Sequence, residues 1–193
     1  MDKRKIRDYK RFTTSVLLFT IYLPHILIFS IGGGKIRQDV ERMLTRVPIR
    51  LNCFWGFLFL IHTNAYFRSL FYYRIGPLWE MLIGWWRPGD KYFTISKTLK
   101  MEGGVLLAHP YATILNADKI GKNFNFRHLT TLGGKNGGRP KIGDNVTLGA
   151  AVTIIGPVKI GNNVTVGAGS VVVKDVEDNC IVAGNPAKII RRL

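Results

Sequence analysis

Aliphatic residues recur every six positions through the second half of the chain, at Ile142, Leu148, Ile154, Ile160, Val166 and Val172. Gly143, Gly149, Gly161 and Gly167 directly follow four of them, and Val146, Val152, Val158, Val164 and Ser170 stand four positions on. A beat of six is neither the 3.6 of a helix nor the alternation of an ordinary strand. It predicts a parallel β-helix, in which each hexad forms one short flat strand and three hexads close a coil. Stacked coils take an aliphatic knob inward and leave little room for bulk at the turns. The same phase links Ile120, Phe126 and Leu132, and also Ile95, Met101 and Leu107. One extra residue separates Leu107 from Ile120, and Leu132 to Ile142 spans ten positions instead of six. That second surplus reads as a loop, Gly133-Gly134-Lys135-Asn136-Gly137-Gly138-Arg139-Pro140-Lys141, with glycines to turn and three cations to meet an anion. Breaks in a repeat array often mark its working face.

The first half follows a different pattern. Ser15 to Ile31 runs without an acid, lysine or arginine, at the short end for a membrane-spanning helix. Pro24 and His25 interrupt its middle, which predicts a kinked or shallow helix. Lys3, Arg4, Lys5, Arg7, Lys10 and Arg11 precede it; Lys35, Arg37, Arg42, Arg46 and Arg50 follow. Positive charge on both flanks fits a segment whose ends both stay at the cytoplasmic face. A second apolar run, Cys53 to His62, is too short to span and carries Phe54, Trp55, Phe57 and Phe59. Trp79, Trp85 and Trp86 continue a theme that favours the membrane–water boundary. Two readings stand side by side: association with a membrane surface, or a helical hairpin packed on the β-helix or on a partner subunit. A secretory signal lacks its cleavage pattern, since no A-x-A-like site follows the apolar core. The expected organisation is a helical region over 1–90 and a β-helix over 91–193.

Charge sharpens the membrane reading. The formal net charge is +16. Residues 1–100 hold 17 basic and 6 acidic groups, net +11, and residues 101–193 hold 11 and 6, net +5. A basic excess beside apolar sequence points to anionic lipid, and no nucleic-acid motif accompanies it. A cytoplasmic protein held peripherally at the inner face of the cytoplasmic membrane is expected. The two cysteines, Cys53 and Cys180, make neither a disulfide framework nor a metal cluster.

Candidate chemistry is sparse in the β-helical half. His109, in Leu107-Ala108-His109-Pro110, sits at the first break in the beat. His128, in Phe126-Arg127-His128-Leu129, occupies an outward position of a coil. Two histidines, one isolated cysteine and no acidic pair do not supply a zinc ligand set, so no metal is expected. There is no Ser-His-Asp arrangement or P-loop, and Gly32-Gly33-Gly34 lacks the strand context of a dinucleotide motif.

From His109 to the C-terminus the chain resembles the hexapeptide-repeat acyltransferases, most closely the serine acetyltransferase branch. The resemblance rests on Thr131-Leu132-Gly133-Gly134 with its Gly/Lys/Arg loop and on Lys141-Ile142-Gly143-Asp144-Asn145-Val146. Gly167-Ala168-Gly169-Ser170-Val171-Val172 and Gly184-Asn185-Pro186-Ala187-Lys188-Ile189-Ile190 complete it. It implies a left-handed β-helix that forms a homotrimer, with acetyl-CoA in the groove between neighbouring subunits. His109 would be the general base, taking a proton from the acceptor hydroxyl as that oxygen attacks the thioester carbonyl. Amides at Gly134, Ala150 and Ala168 would line the pantetheine arm, and Lys188 and Arg191 would meet the CoA phosphates. His128 and Arg139 are acceptor-side candidates.

Departures from the family pattern bear on the acceptor. An aspartate precedes the catalytic histidine in serine acetyltransferases; Ala108 stands there. A second aspartate aligns near Thr94, and the family's Arg-His-Pro becomes Gly138-Arg139-Pro140. The groups that grip free serine are therefore missing, and recognition groups left unpaired weaken an acceptor sharply. The expected activity is acetyl-CoA-dependent O-acetylation of a hydroxyl on a surface-polysaccharide sugar. Serine O-acetylation in cysteine biosynthesis, acetylation of an amino sugar and a catalytically silent membrane-surface scaffold are the alternatives.

Overall fold

A computed structural model describes residues 2–193, which fall into two compact units, the first ending at Asp90 and the second running Lys91–Leu193.

The first unit is helical: α1 (Lys3–Leu17), α2 (Leu23–Ile31), α3 (Gly33–Leu44), α4 (Cys53–Thr63), α5 (Ala65–Ile75) and α6 (Pro77–Ile83). Short polar side chains open three of them. Asp2 accepts the Arg4 amide, Asn52 that of Trp55 and Asn64 that of Phe67, each at 3.0–3.1 Å, taking up amides that have no intrahelical carbonyl. The apolar stretch 15–31 is broken. α1 ends at Leu17, a 3₁₀ turn covers Phe19–Tyr22, and Pro24 lies in the first turn of α2, where its missing N–H costs nothing. The two limbs meet at 73°, and among the described residues no single helix is long and apolar enough to cross a membrane. Phe57, Leu58, Ile61, Phe67, Leu70 and Phe71 form the core, with Phe29 stacked on Phe57 at 4.2 Å.

The second unit is a left-handed parallel β-helix of about five coils. Face 1 stacks Phe93–Ile95, Thr113–Leu115, Thr131–Gly133, Thr153–Ile155 and Val171–Val172. Face 2 stacks Lys100–Met101, Lys119–Ile120, Lys141–Ile142 and Lys159–Ile160. Face 3 stacks Leu106–Ala108, Asn125–Arg127, Thr147–Leu148, Thr165–Val166 and Cys180–Gly184, and Ala187–Arg192 folds back antiparallel on the last. Leu115, Ile120, Phe126, Leu132, Leu148 and Ile154 point inward and are fully buried.

The corner between faces 2 and 3 shows how the stack is held. Asn123, Asn145, Asn163 and Asn179 each sit in the left-handed region, at φ 56–58°, which asparagine tolerates well. The side-chain amides of Asn123, Asn145 and Asn163 each donate to the next oxygen up the stack, at 2.9, 3.0 and 2.8 Å. A parallel ladder runs beside it, in which Asp144, Asn162 and Asp178 accept the backbone amides of Lys122, Asp144 and Asn162 at 2.8 Å.

Register locates the irregularities. Ala108 pairs with Arg127, and Ile114 with Thr131. The chain thus takes six steps from Ala108 to Ile114 where the next coil takes four from Arg127 to Thr131. The surplus of one residue between Leu107 and Ile120 resolves into a two-residue bulge, His109-Pro110, offset by one residue fewer between Leu115 and Ile120. The second surplus is a hairpin: Lys135 and Gly138 exchange both backbone bonds across Asn136 (φ 52°) and Gly137 (φ 77°). Two successive positive φ values are those of a type I′ turn, for which Asn-Gly is the favoured pair.

Candidate active site

The corner from face 3 to face 1 gathers the residues of interest into a column. The Leu129 amide donates to the Tyr111 carbonyl, that of Ala151 to His128, and that of Gly169 to Ala150, at 2.8–3.0 Å. Tyr111, His128, Ala150 and Ala168 therefore occupy one position in four successive coils, about 4.8 Å apart. His109 stands beside the foot of the column on the bulge. Its ring is exposed, its φ is +56°, and its carbonyl accepts the Tyr111 amide at 2.8 Å across the buried Pro110. A left-handed conformation at a non-glycine residue before proline is costly. Such strain persists where the surroundings over-determine it, commonly at working sites. The coils over-determine it here, since Ala108 and Ile114 are both fixed in sheet register.

The rest of the column is built to leave backbone reachable. Ala150 and Ala168 carry only a methyl group, and among the described residues their amides donate to no backbone carbonyl, whereas those of Ala151 and Gly169 do. A Cβ at Gly149 would stand 2.5 Å from the Ala168 nitrogen, so only glycine admits that coil spacing. At the top, Lys188 pairs with Ala183, which continues the stack above Gly167, so the exposed Lys188 side chain starts next to the column. Arg191 pairs with Ile181 and starts two residues farther in from the corner.

Gly134 and Arg139 lie elsewhere. The hairpin leaves face 1 at its far edge, so within one chain a three-residue strand, about 10 Å, separates it from the column. Among the described residues the Gly134 amide also donates to no backbone carbonyl. Arg139 anchors the hairpin: its Nε donates to Asp118 at 2.9 Å and its Nη1 to Thr98 at 2.7 Å and Asn116 at 3.3 Å. Among the described residues no group of three or more His, Cys, Asp or Glu side chains is placed to hold a metal ion.

Two residues went unnoticed in the sequence. Tyr92 precedes the first strand of face 1, and its carbonyl accepts the Thr113 amide at 3.0 Å. Its ring meets that of Tyr111 edge to face, with centroids 5.2 Å apart, and both side chains are about half exposed. The available signal was an aromatic residue two positions after the candidate base, at a break in the beat.

Residues 139–174 match the family model described as bacterial transferase hexapeptide (six repeats). Serine acetyltransferase 4 of Arabidopsis thaliana is 35% identical over 169 residues, covering 81% of this chain and 47% of that protein. The putative colanic acid biosynthesis acetyltransferase WcaB of Escherichia coli K12 is 46% identical over 85 residues, covering 42% of this chain and 52% of that protein. The crystal structure of Neisseria gonorrhoeae serine acetyltransferase superposes with a TM-score of 0.66 at 28% identity, covering 91% of this chain and 71% of that one. The chain spans about half the length of these two curated relatives.

Proposed function

We propose that this chain, a hexapeptide-repeat protein of the serine-acetyltransferase-like kind, transfers an acetyl group from acetyl-CoA to a hydroxyl of a surface-polysaccharide sugar. The observation that carries the proposal is the His109-Pro110 bulge at the foot of a column of small residues with uncommitted amides. The His109 imidazole takes the proton of the acceptor hydroxyl while that oxygen forms a bond to the thioester carbonyl carbon. The tetrahedral adduct then expels the CoA sulfur, which leaves as the thiol with the proton held by the imidazolium. The pantetheine arm rises along the column, receiving hydrogen bonds from the Ala150 and Ala168 amides. Lys188 at the top, with Arg191 behind it, meets the phosphates.

Gly134 and Arg139, at the far edge of face 1, serve the column of a neighbouring copy. This reading gives a homotrimer with acetyl-CoA in each intersubunit groove; the Gly134 amide of the neighbouring copy lines the pantetheine arm, and His128 and the neighbour's Arg139 lie on the acceptor side. Serine is the weaker acceptor because Ala108 and Thr94 offer no carboxylate to its ammonium group. The names of the relatives keep serine in the test.

Thiol release from acetyl-CoA, with L-serine or with an extract of soluble and lipid-linked glycans as acceptor, decides between them. Release with the glycan fraction supports the proposal, and fast release with serine alone overturns its acceptor. His109→Ala lowers kcat by 10²–10⁴-fold with the fold intact, because the side chain is exposed. Near-normal turnover by that variant removes His109 from the mechanism.

The helical unit holds the protein peripherally at the cytoplasmic face of the membrane. Its basic excess and the exposed Leu17, Leu27, Ile31, Met81 and Trp85 support this reading. The protein sediments with vesicles containing phosphatidylserine more than with neutral ones; equal partition between the two defeats the charge argument.

A further inference from the structure

The column has a direction. Above His109, toward the C-terminus of the solenoid, the corner offers the small residues Ala150 and Ala168, uncommitted amides and finally Lys188. That end suits a long polar arm with phosphates. Below and beside His109 the same corner offers two aromatic rings and no amide column. Tyr111 sits at the column position one coil under His128, and Tyr92 precedes the strand that underlies it. Their rings meet at 5.2 Å with 62° between planes, and 48% and 50% of the two residues is exposed. Lys91 reaches over the Tyr92 ring, its Nζ 4.8 Å from the centroid.

Half-exposed aromatic rings side by side are costly surface for a soluble solenoid whose other corners carry asparagine, aspartate and glycine. An ammonium-bearing amino acid would find little here: Lys91 already brings a positive charge to one face of Tyr92, and Ala108 and Thr94 supply no carboxylate. A pyranose ring fits better. One of its faces presents axial C–H bonds, which pack on the negative face of an aromatic ring, while its hydroxyls remain free around the edge. An edge-to-face pair gives such a sugar two differently oriented walls, on the coil that carries His109 and the one below it.

We propose that Tyr92 and Tyr111 form the acceptor platform of this enzyme and that the acceptor is a hexopyranose unit. The assignment rests on the O-acetyltransferase reading above and adds to it the class of substrate and the two side chains that hold it. Tyr111 fixes the sugar beside the reacting histidine. Tyr92 supplies the second wall and, standing one coil below the bulge, is the secondary contact.

The test uses the full chain, with thiol release from acetyl-CoA as the rate assay and a mixture of methyl hexopyranosides as the acceptor probe. Saturation-transfer NMR on the same mixture reads binding without turnover. The wild-type protein transfers saturation to ring C–H protons of at least one glycoside and accelerates thiol release with it. Tyr111→Ala raises the KM for that glycoside about tenfold and Tyr92→Ala about threefold, while the KM for acetyl-CoA stays within twofold. Tyr111→Phe restores most of the loss, since the ring and not the hydroxyl does the packing. Retained glycoside turnover with an unchanged KM in both alanine variants overturns the platform and leaves the O-acetyltransferase reading intact. Turnover with L-serine and none with any glycoside overturns both the platform and the sugar acceptor. Loss of the acetyl-CoA KM in step with the glycoside KM reassigns the rings to the donor side and overturns the platform alone.

Discussion

The two units satisfy their polar groups in opposite ways, the solenoid at an exposed corner and the helical unit in its interior. In the solenoid one solution is repeated: Asn123, Asn145, Asn163 and Asn179 take the same backbone conformation at the same corner and bond in sequence. In the helical unit each solution is used once. Asp39 and Arg74 form an ion pair at 2.9 Å with side chains 1% and 6% exposed. The His25 ring, fully buried, meets the Tyr72 hydroxyl at 3.2 Å, and that hydroxyl donates to the Arg87 carbonyl at 2.7 Å. Tyr22 and His62 form a further pair at 2.9 Å. A repeated solution spreads the load, so the solenoid can carry a strained two-residue bulge and a hairpin without losing its coils. The candidate site lies where the repeat breaks. Single-use pairs leave the helical unit no such slack.

The sharpest way to break that contrast is Asp39→Ala. Removing one partner of a buried ion pair strands the other charge, at a cost of about 3–5 kcal/mol. All four tryptophans, Trp55, Trp79, Trp85 and Trp86, lie in the helical unit, so fluorescence in urea follows that unit selectively. A large fall in the fluorescence midpoint, with the β-sheet circular dichroism transition little moved, is the expected result. Equal loss in both signals means that the two units share one cooperative transition and the contrast has no energetic content.

Acid exposes the same weakness at a somewhat smaller scale. Burial, followed by the nearby Arg68 charge, lowers the His25 pKa from 6.5 to about 4. His62 moves in the same direction through burial and the charges of Arg87, Arg68 and Arg11. The folded-state value lies below the unfolded one, so between pH 6.5 and 4 the unfolded chain binds more protons. Stability from His25 is complete above pH 6.5, declines as pH falls through that window, and is lost by up to about 3 kcal/mol below pH 4. The tryptophan midpoint should fall across this range, and His25→Phe should flatten the slope even where it lowers stability overall. An unchanged slope in that variant assigns the acid lability to other groups. The solenoid buries no histidine; its buried polar side chains are Thr113, Thr130 and Ser170.

The same difference governs what could be read from sequence. The coils were legible because Ile142 through Val172 repeat one spatial demand, and a hexad period is hard to produce otherwise. Pro24 marked the break in the apolar run for an equally local reason, the missing N–H. Spacing reports only net surplus, however. A bulge of two at His109-Pro110 and a deficit of one before Ile120 add to a single extra residue, and only coil register separates them. The column of His128, Ala150 and Ala168 became visible with that register. Arg139 looked like a free loop cation because Asp118, Thr98 and Asn116 lie two or more strands away in sequence. The pairs of the helical unit left no sequence trace, since a contact made once has no period.

Repetition also multiplies an unfavourable term, and this gives the smallest and most specific prediction. Lys100, Lys119, Lys141 and Lys159 stand in direct register on face 2, all exposed. Neighbouring strands lie about 4.8 Å apart, and like charges opposite one another destabilise a sheet by a few tenths of a kcal/mol per pair. Lys141 has a lysine on each side, so Lys141→Glu turns two repulsions into two attractions. The solenoid transition should gain about 0.5–1 kcal/mol at low ionic strength, and most of that gain should vanish in 1 M salt, where screening acts within about 3 Å. The wild-type solenoid should itself be stabilised by salt, while the buried Asp39–Arg74 pair is screened much less than the exposed lysines. A Lys141→Glu variant no more stable than wild type at low salt means the four ammonium groups splay far enough apart to ignore one another. The solenoid would then repeat only its favourable contacts, and its contrast with the helical unit would be wider still.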